Sequence, residues 1–409
     1  MTSPHALPVV IVGGGISGIT TAIEAAETGA NVVLIEKEPY IGGRVSRMNR
    51  YFPKLCSPLC GMEINYRRLK SNPRIKVITL AQLESVSGEK GNFELKLKKA
   101  PRFVNDNCTS CDKCTAVCPV ERDDDFNYSM NKTKAIYLPH NMAYPQQYVI
   151  DPETCKGSEC AECVKACKYG AIDLGEKEET LTIKAVSLVY ATGWEPYDAR
   201  KIDNLGFGRV KNVINNVMME RLASPSGPTG GKIVRPSDGK EVKKIAFVQC
   251  AGSRDEDHLP YCSSVCCLAS LKQATYVREA YPDSKVTIFY IDIRTPGKYE
   301  AFYKKVSDDE NVAMVKGKVA KVEEDSGTGD VLVTAEDILG GTKAEARVDM
   351  VVLATGMSPS AHAEKLNGDA GKRPLDEDGF IDTEKMPEGV FAAGVAKRPL
   401  DVNLSLQDA

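Results

Sequence analysis

Fourteen cysteines are the residues of this chain best suited to chemistry, and eight of them lie in two closely spaced runs. The runs are Cys108-x2-Cys111-x2-Cys114-x3-Cys118-Pro119 and Cys155-x4-Cys160-x2-Cys163-x3-Cys167. Thiolates at these spacings bind iron–sulfur clusters, and in two-cluster proteins the fourth cysteine of each run binds the other cluster. The sequence therefore predicts one [4Fe–4S] cluster on Cys108, Cys111, Cys114 and Cys167, and another on Cys155, Cys160, Cys163 and Cys118.

The cysteine-rich stretch interrupts a regular pattern of strands. Alternating polar and apolar residues predict strands before residue 100 and after residue 178, whereas the stretch between them has little periodicity. Zinc ribbons and buried free thiols are the alternatives, but zinc sites use two C-x2-C pairs rather than two C-x2-C-x3-C runs. We therefore expect an inserted, ferredoxin-like domain with two [4Fe–4S] clusters at residues 101–178.

A third group of cysteines comprises Cys250, Cys262, Cys266 and Cys267. Cys250 ends the first predicted strand of a second βαβ unit, where an NAD(P)H-binding domain carries its glycine fingerprint. The sequence there is FVQCAGSRDE, so binding of a pyridine nucleotide is poorly supported in this half of the chain. From spacing alone, the four cysteines could hold a third [4Fe–4S] cluster or be structural thiols.

Cys56 and Cys60 belong to none of these groups. A C-x3-C pair supplies two ligands, whereas a cluster needs four. The pair is interpreted either as part of a cluster completed by other residues or by a partner chain, or as packed thiols. Because unpaired cysteines are usually structural, the interpretation as buried or second-layer thiols is favoured.

A glycine-rich turn near the start of the chain predicts a nucleotide-binding unit. Gly13, Gly15 and Gly18 follow an apolar strand and open a helix, and Glu36 ends the next strand. The first glycine permits the tight turn, the second lets a pyrophosphate approach the backbone, and the third lets the helix lie close to the strand. A carboxylate at Glu36 accepts hydrogen bonds from ribose hydroxyls. A glycine-rich turn without a nucleotide is the less favoured alternative.

Further motifs favour FAD over NAD as the nucleotide. Two predicted strands end in Ala-Thr-Gly, which is the ground plan of flavoproteins with two dinucleotide-binding domains, and a short strand near the C-terminus ends in a glycine. Val395 follows that glycine where aspartate is frequent, so we expect backbone contacts there. The predicted FAD-binding residues beyond the first turn are Lys37, Gly42, Gly43, Arg44, Ala191, Thr192, Gly193, Gly356 and Gly394.

These elements divide an α/β chain into five expected parts. Three pieces form an FAD-binding domain, at residues 1–100, at 179–242 (a strand and a linker) and at 346–409. The two-cluster insert at 101–178 separates the first two pieces. A second Rossmann-like domain that carries the third cysteine group is expected at 243–345.

The composition excludes several classes of protein. The chain has 409 residues with 53 basic and 56 acidic side chains, and 7% of its residues are aromatic, so we expect no nucleic-acid binding. No run of eighteen apolar residues is present, and an apolar strand follows soon after Met1. We therefore expect no direct membrane insertion, no signal peptide and a cytoplasmic protein, in which the cysteines serve as metal ligands, redox groups or buried thiols.

The motifs together resemble a known family. The segments CAGSRDEDHLPYCSSVCCLASLKQA and CTSCDKCTAVCPVE, with the N-terminal fingerprint, are similar to the A subunit of heterodisulfide reductase. This resemblance covers nearly the whole chain and implies a thioredoxin-reductase-like flavoprotein with two dinucleotide-binding domains. It also implies that the third cysteine group binds a [4Fe–4S] cluster beside FAD and that Lys272 lies near flavin N5. An ammonium group there would stabilise an anionic reduced flavin.

The compact length and the segments FPKLCSPLCGMEINYRRL and PLDVNLSLQDA resemble the A subunits of the quinone-interacting membrane-bound oxidoreductase (Qmo) complexes of sulfate reducers. This resemblance implies an oxidoreductase subunit that links the membrane quinone pool to adenylylsulfate reductase, with flavin-based electron bifurcation or confurcation as a hypothesis. The implied partners are adenylylsulfate reductase, a second flavoprotein subunit of the same family and a haem-binding membrane subunit. Sister subunits would attach this chain peripherally to the inner membrane.

Three alternatives stay open at this point. The first is the flavin subunit of a soluble heterodisulfide-reductase-like complex. The second is an NAD(P)H-dependent ferredoxin or disulfide oxidoreductase, against which the missing second fingerprint argues. The third is an electron-transfer scaffold that has lost FAD, against which the intact unit from Gly13 to Glu36 argues.

Overall fold

The computed structural model describes residues 7–360 and 373–409, so parts of the expected FAD-binding pieces, at 1–6 and 361–372, lie outside the described residues. The α-helices are α1 (Ile16–Glu27), α2 (Pro58–Ser71), α3 (Lys113–Val117), α4 (Glu162–Ala166), α5 (Asn216–Ala223), α6 (Cys266–Ala280), α7 (Tyr299–Ser307) and α8 (Val402–Gln407). The β-strands are β1 (Val9–Val12), β2 (Val32–Ile35), β3 (Ile75–Ile78), β4 (Ala81–Glu89), β5 (Asn92–Lys99), β6 (Glu121–Asp123), β7 (Lys132–Lys134), β8 (Ile136–Tyr137), β9 (Val149–Ile150), β10 (Glu179–Ala185), β11 (Ser187–Tyr190), β12 (Trp194–Pro196), β13 (Val213–Asn215), β14 (Lys244–Ala251), β15 (Lys285–Tyr290), β16 (Val312–Lys316), β17 (Val319–Glu324), β18 (Val331–Asp337), β19 (Thr342–Val348), β20 (Met350–Thr355), β21 (Met357–Pro359) and β22 (Val390–Ala392).

The first five-stranded sheet is wholly parallel, with the order β22-β11-β1-β2-β3. Strands β1 and β2 read VVIV and VVLI, the continuous apolar runs of a parallel sheet that is covered on both faces. Successive side chains alternate between two cores, with Val10 in one and Ile11 in the other. Ile19 and Ile23 of α1 pack in the core of Ile11, so α1 covers that face.

The cysteine-rich stretch is inserted between two paired strands, β5 and β10. Strands β5 and β10 pair antiparallel from Lys99↔Glu179 to Phe93↔Ala185, although residues 100–178 separate them in the chain. With β4 they form a three-stranded sheet. The intervening residues form the short helices α3 and α4 and the two-stranded ladders β6-β7 and β8-β9. The chain therefore leaves the first domain and returns to it at one hydrogen-bonded pair of strands.

The second five-stranded sheet is also parallel, with the order β13-β20-β14-β15-β16. Helix α6 packs on one face through Leu271 against Phe247, and the antiparallel sheet β17-β18-β19 packs on the other. Strands β13 and β20 lie outside the expected limits of this domain, 243–345. Strand β20 is buried along its whole length, and an apolar sequence alone does not indicate which of two buried sheets such a strand joins.

The first Ala-Thr-Gly motif follows β11, the second lies at the end of β20, and each leads into a short crossing strand. Strand β12 follows Gly193, β21 follows Gly356, and the two crossing strands pair antiparallel. The two chain segments that connect the five-stranded sheets therefore run side by side. None of the helices within the described ranges is long and apolar enough to cross a membrane.

Candidate functional site

A cavity of about 860 Å³ lies between the glycine-rich turn and α6. Its walls include the ends of β1 and β11, the first turn of α1, part of α6 and part of α8. This volume is in the range of ordinary cofactor sites. The predicted flavin-site residues that line it are Gly13, Gly15, Glu36, Lys37, Gly43, Arg44, Ala191, Thr192, Gly193 and Lys272.

The three glycines of the turn have different structural roles. Gly13 has φ +110°, and a Cβ there would overlap the carbonyl oxygen of Ala191. A Cβ on Gly18 would overlap the Gly13 carbonyl oxygen, so α1 approaches β1 this closely only with glycine at that position. A Cβ on Gly15, by contrast, would have no atom within 4 Å, and this residue faces the cavity. Two glycines thus close the turn and the third leaves open space for a ligand.

The N-terminus of α1 presents backbone donors to that open space. Gly15 is the N-cap residue, and no side chain accepts a hydrogen bond at this helix end. Gly15, Ile16 and Ser17 all line the cavity. The first N–H groups of a helix lack partners within the helix and favour a bound anion. The turn therefore fits the pyrophosphate of FAD.

Glu36 lies buried beside the turn, directly after β2. Its Oε2 accepts a hydrogen bond from the N–H of Gly14 at 2.7 Å, and its Oε1 accepts one from the N–H of Glu38 at 2.9 Å. Burial raises the pKa of the Glu36 carboxyl to about 7, although these two N–H groups act in the opposite direction. The carboxyl group borders the cavity, where a ribose hydroxyl could donate to it.

We expect the FAD-free chain to lose stability as the pH rises from about 4.5 to about 7. The folded state holds the Glu36 proton with a pKa of about 7 and the unfolded chain with the ordinary value of 4.5, so folding is favoured where the group is protonated. One pKa unit corresponds to about 1.4 kcal/mol, which limits the loss to about 3.5 kcal/mol. Urea unfolding at a series of pH values measures this loss of stability. Glu36→Gln should flatten the plot of unfolding free energy against pH. A variant with the wild-type pH dependence would contradict this prediction.

The Gly-Gly-Arg segment lies against the turn. The N–H of Gly42 donates to the carbonyl oxygen of Gly14 at 2.7 Å. A Cβ on Gly43, which has φ +53°, would lie 2.9 Å from the Cα of Gly15. This close approach of backbone to backbone explains the glycine at position 43, whereas Gly42 has φ +117° and a Cβ there would overlap the side chains of Met62 and Tyr66.

Two basic side chains share one carboxylate at the cavity wall. Arg44 donates from Nε to the carbonyl oxygen of Trp194 at 2.6 Å and forms an ion pair with Glu195. Lys37 Nζ lies 3.8 Å from the other oxygen of Glu195. The Arg44 guanidinium also lies over the Trp194 ring, 5.0 Å from its centroid. Arg44 and Lys37, both predicted from the sequence as FAD-binding residues, therefore line the cavity. Their shared partner Glu195 was not indicated by the sequence.

Four predicted cofactor residues pack behind the cavity lining rather than within it: Gly18, Gly42, Gly356 and Gly394. Gly394 has φ +65°, and a Cβ there would overlap the hydroxyl of Ser17 in α1. A Cβ on Gly356 would overlap the hydroxyl of Ser253, in the segment that follows β14. These glycines let backbone segments approach the walls of the cavity closely.

One predicted ligand set of the insert borders a single small cavity. Its lining includes the four cysteines predicted for one cluster: Cys118, Cys155, Cys160 and Cys163. Cys118 comes from the first run and the other three from the second, which is the exchange that a two-cluster arrangement requires. The N–H of Gly157 donates to the Sγ of Cys155 at 3.4 Å, a contact of the kind that stabilises cluster sulfurs.

The other predicted ligand set is brought together in part. Burial raises the pKa of the Cys114 thiol to about 11, and the neighbouring Cys108 adds to the increase. Cys167 borders the same apolar core, and its Sγ accepts a hydrogen bond from the N–H of Ala171 at 3.4 Å. Cys111 is exposed. Three members of this set thus lie at the core of the insert, and the fourth lies on its surface.

The predicted ligand sets do not have the geometry of a site for a single metal ion. In residues 7–360 and 373–409, no three His, Cys, Asp or Glu side chains converge as they would on one metal ion. The thiolates of a [4Fe–4S] cube bind four different iron atoms, so they need not converge on one point.

The third cysteine group is assembled where β14 ends and α6 begins. Cys250 has φ +55° at an irregularity in β14, and Cys266 and Cys267 are the first two residues of α6. Burial raises the pKa of the Cys266 thiol well above its usual value, and Cys250, Cys267 and Cys262 each add to that effect. The four thiols are therefore neighbours. Four thiolates in such a buried place need a compensating positive charge, which a bound metal cluster supplies.

Helix α6 joins this cysteine group to the cavity. Val265, Leu268, Ala269 and Lys272 line the cavity, while Cys266 and Cys267 on the same helix belong to the cysteine group. The third group therefore flanks the candidate FAD site.

Lys272 is held in a buried ion pair at the cavity wall. Its Nζ lies 3.0 Å from Oε1 of Glu220, and the two side chains are 4% and 6% exposed. Lys272 Nζ also donates to the carbonyl oxygen of Arg50 at 2.6 Å. Glu220 accepts further hydrogen bonds from Gln273 at 2.8 Å and from the Tyr276 hydroxyl at 3.2 Å. Sequence reasoning missed Glu220 because α5 and α6 carry no shared motif, and only the tertiary fold brings the two side chains together.

Cys56 and Cys60 are both exposed, so the prediction that they are buried thiols is wrong. Cys56 precedes α2, and Cys60 lies in the first turn of that helix. Helix α2 packs through Met62, Tyr66 and Leu69, which leaves Cys60 on the opposite, outer face.

The chain is similar to FAD-dependent oxidoreductases and to subunits of heterodisulfide reductases. The model of the FAD dependent oxidoreductase family matches residues 8–98. The iron-sulfur A subunit of the CoB–CoM heterodisulfide reductase of Methanocaldococcus jannaschii is 38% identical over 405 residues, which cover 96% of this chain and 61% of that protein. The A subunit of the H2:CoB-CoM heterodisulfide,ferredoxin reductase of Methanothermobacter thermautotrophicus is 36% identical over 404 residues, with the same coverages. The chain thus spans about three fifths of the length of these relatives.

Solved structures show the same fold at low sequence identity. The thioredoxin reductases of T. acidophilum and Lactococcus lactis superpose with TM-scores of 0.51 and 0.52 at 14% and 12% identity. The superpositions cover 98% of this chain and 94% and 95% of those chains. The predictions of a thioredoxin-reductase-like α/β fold and of an oxidoreductase are confirmed. The chain is therefore an oxidoreductase with a flavoprotein fold that is similar, over nearly its whole length, to the A subunits of heterodisulfide reductases.

Proposed function

We propose that the chain is the FAD- and iron–sulfur-containing electron-transfer subunit of a multi-subunit oxidoreductase. The observation that carries the proposal is the position of α6, which lines the candidate FAD cavity and also carries two of the four cysteines of the third group. FAD, when bound, would exchange electrons in pairs or singly, whereas iron–sulfur clusters exchange them singly.

The residues of the chain have separate tasks in this proposal. The turn of Gly13 and Gly15 and the first N–H groups of α1 bind the pyrophosphate, and Glu36 binds a ribose. Lys272, fixed by Glu220, presents a positive charge to the flavin side of the cavity. The cysteines of the insert hold two [4Fe–4S] clusters, and those of the third group hold one. These clusters provide routes for electrons toward partner subunits.

The second sheet lacks the open glycine turn that a pyridine nucleotide needs. The segment after β14 is folded back through a bridge between Ser253 and Leu259, and a Cβ on Gly252 would meet the ring of Tyr197. The third cysteine group occupies the remaining part of this connection. We therefore propose that electrons come from proteins, and that NADH and NADPH leave the absorbance of the flavin-loaded chain unchanged. Bleaching by either nucleotide would favour an NAD(P)H-dependent oxidoreductase instead.

Iron counting tests the cluster assignment. With three [4Fe–4S] clusters, the purified chain should contain about twelve iron atoms per FAD, whereas about eight would leave the third group empty. Cys118→Ser should remove about four iron atoms, because this thiol completes the set that borders the small cavity of the insert. The control Cys56→Ser should leave the count unchanged. An unchanged count in Cys118→Ser, with unaltered EPR signals, would contradict the exchange of the fourth cysteine between the two runs.

For the physiological role we propose a Qmo-like complex. Its sequence support is the pair of segments FPKLCSPLCGMEINYRRL and PLDVNLSLQDA. In this role the chain passes electrons between the quinone pool and adenylylsulfate reductase through a second flavoprotein and a haem-binding membrane subunit. The names of the relatives favour a heterodisulfide reductase, so the other candidate is the flavin subunit of a complex of that kind. For this second candidate we propose a soluble complex. Purification of the native complex and a haem assay of its subunits distinguish the two.

A flavin that exchanges electrons both with the predicted clusters of the insert and with a cluster on the third cysteine group could split or merge electron pairs. We propose bifurcation or its reverse on that ground. A redox titration of the bound flavin is the test, in which a single two-electron transition is expected. Two one-electron transitions separated by a wide range of potential would contradict bifurcation.

A further inference from the structure

We propose that Cys56 and Cys60 form a second redox site, a dithiol that converts reversibly to a disulfide at the outer wall of the FAD cavity. Both thiols are free and exposed in the structure. The proposed electron-transfer function uses neither of them. Two thiols are sufficient for a disulfide, whereas a cluster needs four ligands.

Tyr51 brings the two thiols together. Its N–H donates to the carbonyl oxygen of Cys56 at 3.1 Å, and the two residues form an antiparallel bridge that closes a tight turn. Its hydroxyl lies 3.3 Å from the position that a Cβ would take on Gly61, the residue after Cys60. Partial burial and these two cysteines raise the pKa of Tyr51. Tyr51 therefore pairs with Cys56 through its backbone and reaches the residue after Cys60 with its hydroxyl, so both cysteines lie beside this one residue.

The same segment borders the cavity and the buried ion pair. Tyr51 and Phe52 line the cavity, and the carbonyl oxygen of Arg50 accepts the hydrogen bond from Lys272. Closing a disulfide would draw Cys56 toward α2 and so shift the backbone at Arg50 and Tyr51, because the turn is closed by hydrogen bonds. The oxidation state of the pair would thereby alter the position of Lys272 at the flavin side of the cavity.

The co-reactant is a disulfide, either of low molecular weight or on a protein, written RSSR. One cysteine thiolate attacks a sulfur of RSSR, which forms a mixed disulfide and releases one RS⁻. The second cysteine thiolate then attacks the cysteine sulfur of the mixed disulfide and releases the other RS⁻. The two protein thiols lose two electrons and two protons, and RSSR gains them to become two RSH.

Peptide mapping tests the disulfide directly. Residues 55–67 form one tryptic peptide that contains Cys56 and Cys60 and no other cysteine. The purified, iron-loaded chain is incubated anaerobically with glutathione disulfide, alkylated and digested. We expect this peptide to lose the mass of two hydrogen atoms and to take up no alkyl label, and dithiothreitol should restore both labels. Cys56→Ser and Cys60→Ser should each abolish the crosslink and leave a stable mixed disulfide on the remaining thiol.

Two results would overturn the disulfide. One is glutathione on both cysteines without a crosslink, which would mean that the thiols cannot meet. The other is protection of both cysteines from alkylation in the reduced, iron-loaded chain, which would identify them as metal ligands. The peptide assay reports on Cys56 and Cys60 even if the preparation contains no FAD or too little iron. Failure of the proposed electron-transfer function is therefore distinguishable from failure of this proposal.

The coupling to the cavity has its own readout. In the FAD-loaded chain, oxidation of the pair should change the visible circular dichroism of the bound flavin, since the environment of Lys272 changes. Cys60→Ser, treated in the same way, serves as the control and should show no change. A crosslink in the wild-type chain without any change in the flavin signal would overturn the coupling.

Discussion

Gly15→Val should fold normally and lose FAD. Gly15 has φ −73° and ψ −175°, a conformation that valine adopts readily, and a Cβ there has no neighbour within 4 Å. The added side chain would occupy the part of the cavity where the pyrophosphate meets the start of α1. Overfilling a binding site in this way costs about 3 kcal/mol, which corresponds to a loss of affinity of about 100-fold.

The measurements are the FAD content by absorbance, the dissociation constant by fluorescence titration, and the midpoint of urea unfolding without FAD. Gly18→Ala is the matched comparison, because a Cβ there overlaps the carbonyl oxygen of Gly13. It should lower the stability of the FAD-free chain by about 1–3 kcal/mol as well as weaken FAD binding. If Gly15→Val retained wild-type FAD affinity, the phosphates would lie elsewhere in the cavity.

Lys272→Met should destabilise the chain by about 3–5 kcal/mol. The substitution leaves the Glu220 carboxylate buried without its counter-charge, and breaking a buried ion pair in this way is among the most destabilising changes. Gln273 and Tyr276 still donate to Glu220, which moves the expected value toward the lower limit. Urea unfolding of the FAD-free chain measures this loss.

The double variant Lys272→Met with Glu220→Gln should recover part of the lost stability, because neither member of the pair then carries a buried charge. Lys285→Met, at an exposed lysine, is the control and should change stability by less than about 0.5 kcal/mol. Equal stabilities of the single and the double variant would contradict the coupling of the two charges. In the FAD-loaded chain, Lys272→Met should lower the reduction potential of the flavin if Lys272 stabilises an anionic reduced form.

The glycine turn and the cysteine runs could be predicted from the sequence because their chemistry is set by local spacing. Gly13, Gly15 and Gly18 act within a single turn and a single helix end, so a pattern of six residues contains the whole requirement. The grouping of Cys118 with the second run was also predictable, since the spacing itself implies the exchange.

Features that depend on tertiary packing could not be predicted in the same way. Glu220 lies on α5 in a segment with no motif, and its role as partner of Lys272 follows only from the packing of α5 against α6. The burial of a cysteine likewise depends on which face of a helix packs inward. Helix α2 turns Cys60 outward, against the general tendency of free cysteines to be buried. The membership of β20 in the second sheet was hidden because buried parallel strands have similar apolar sequences.

The pairing of β12 with β21 has a consequence for electron tunnelling. Both connections between the five-stranded sheets pass through this ladder, so a rotation of one sheet against the other must break its hydrogen bonds or bend the two connections together. The rate of tunnelling falls steeply with the distance between donor and acceptor. A paired, two-stranded connection therefore restricts how far the third cysteine group on α6 can move from the glycine turn on β1. It would keep nearly constant the distance over which an electron tunnels between cofactors bound at these two places.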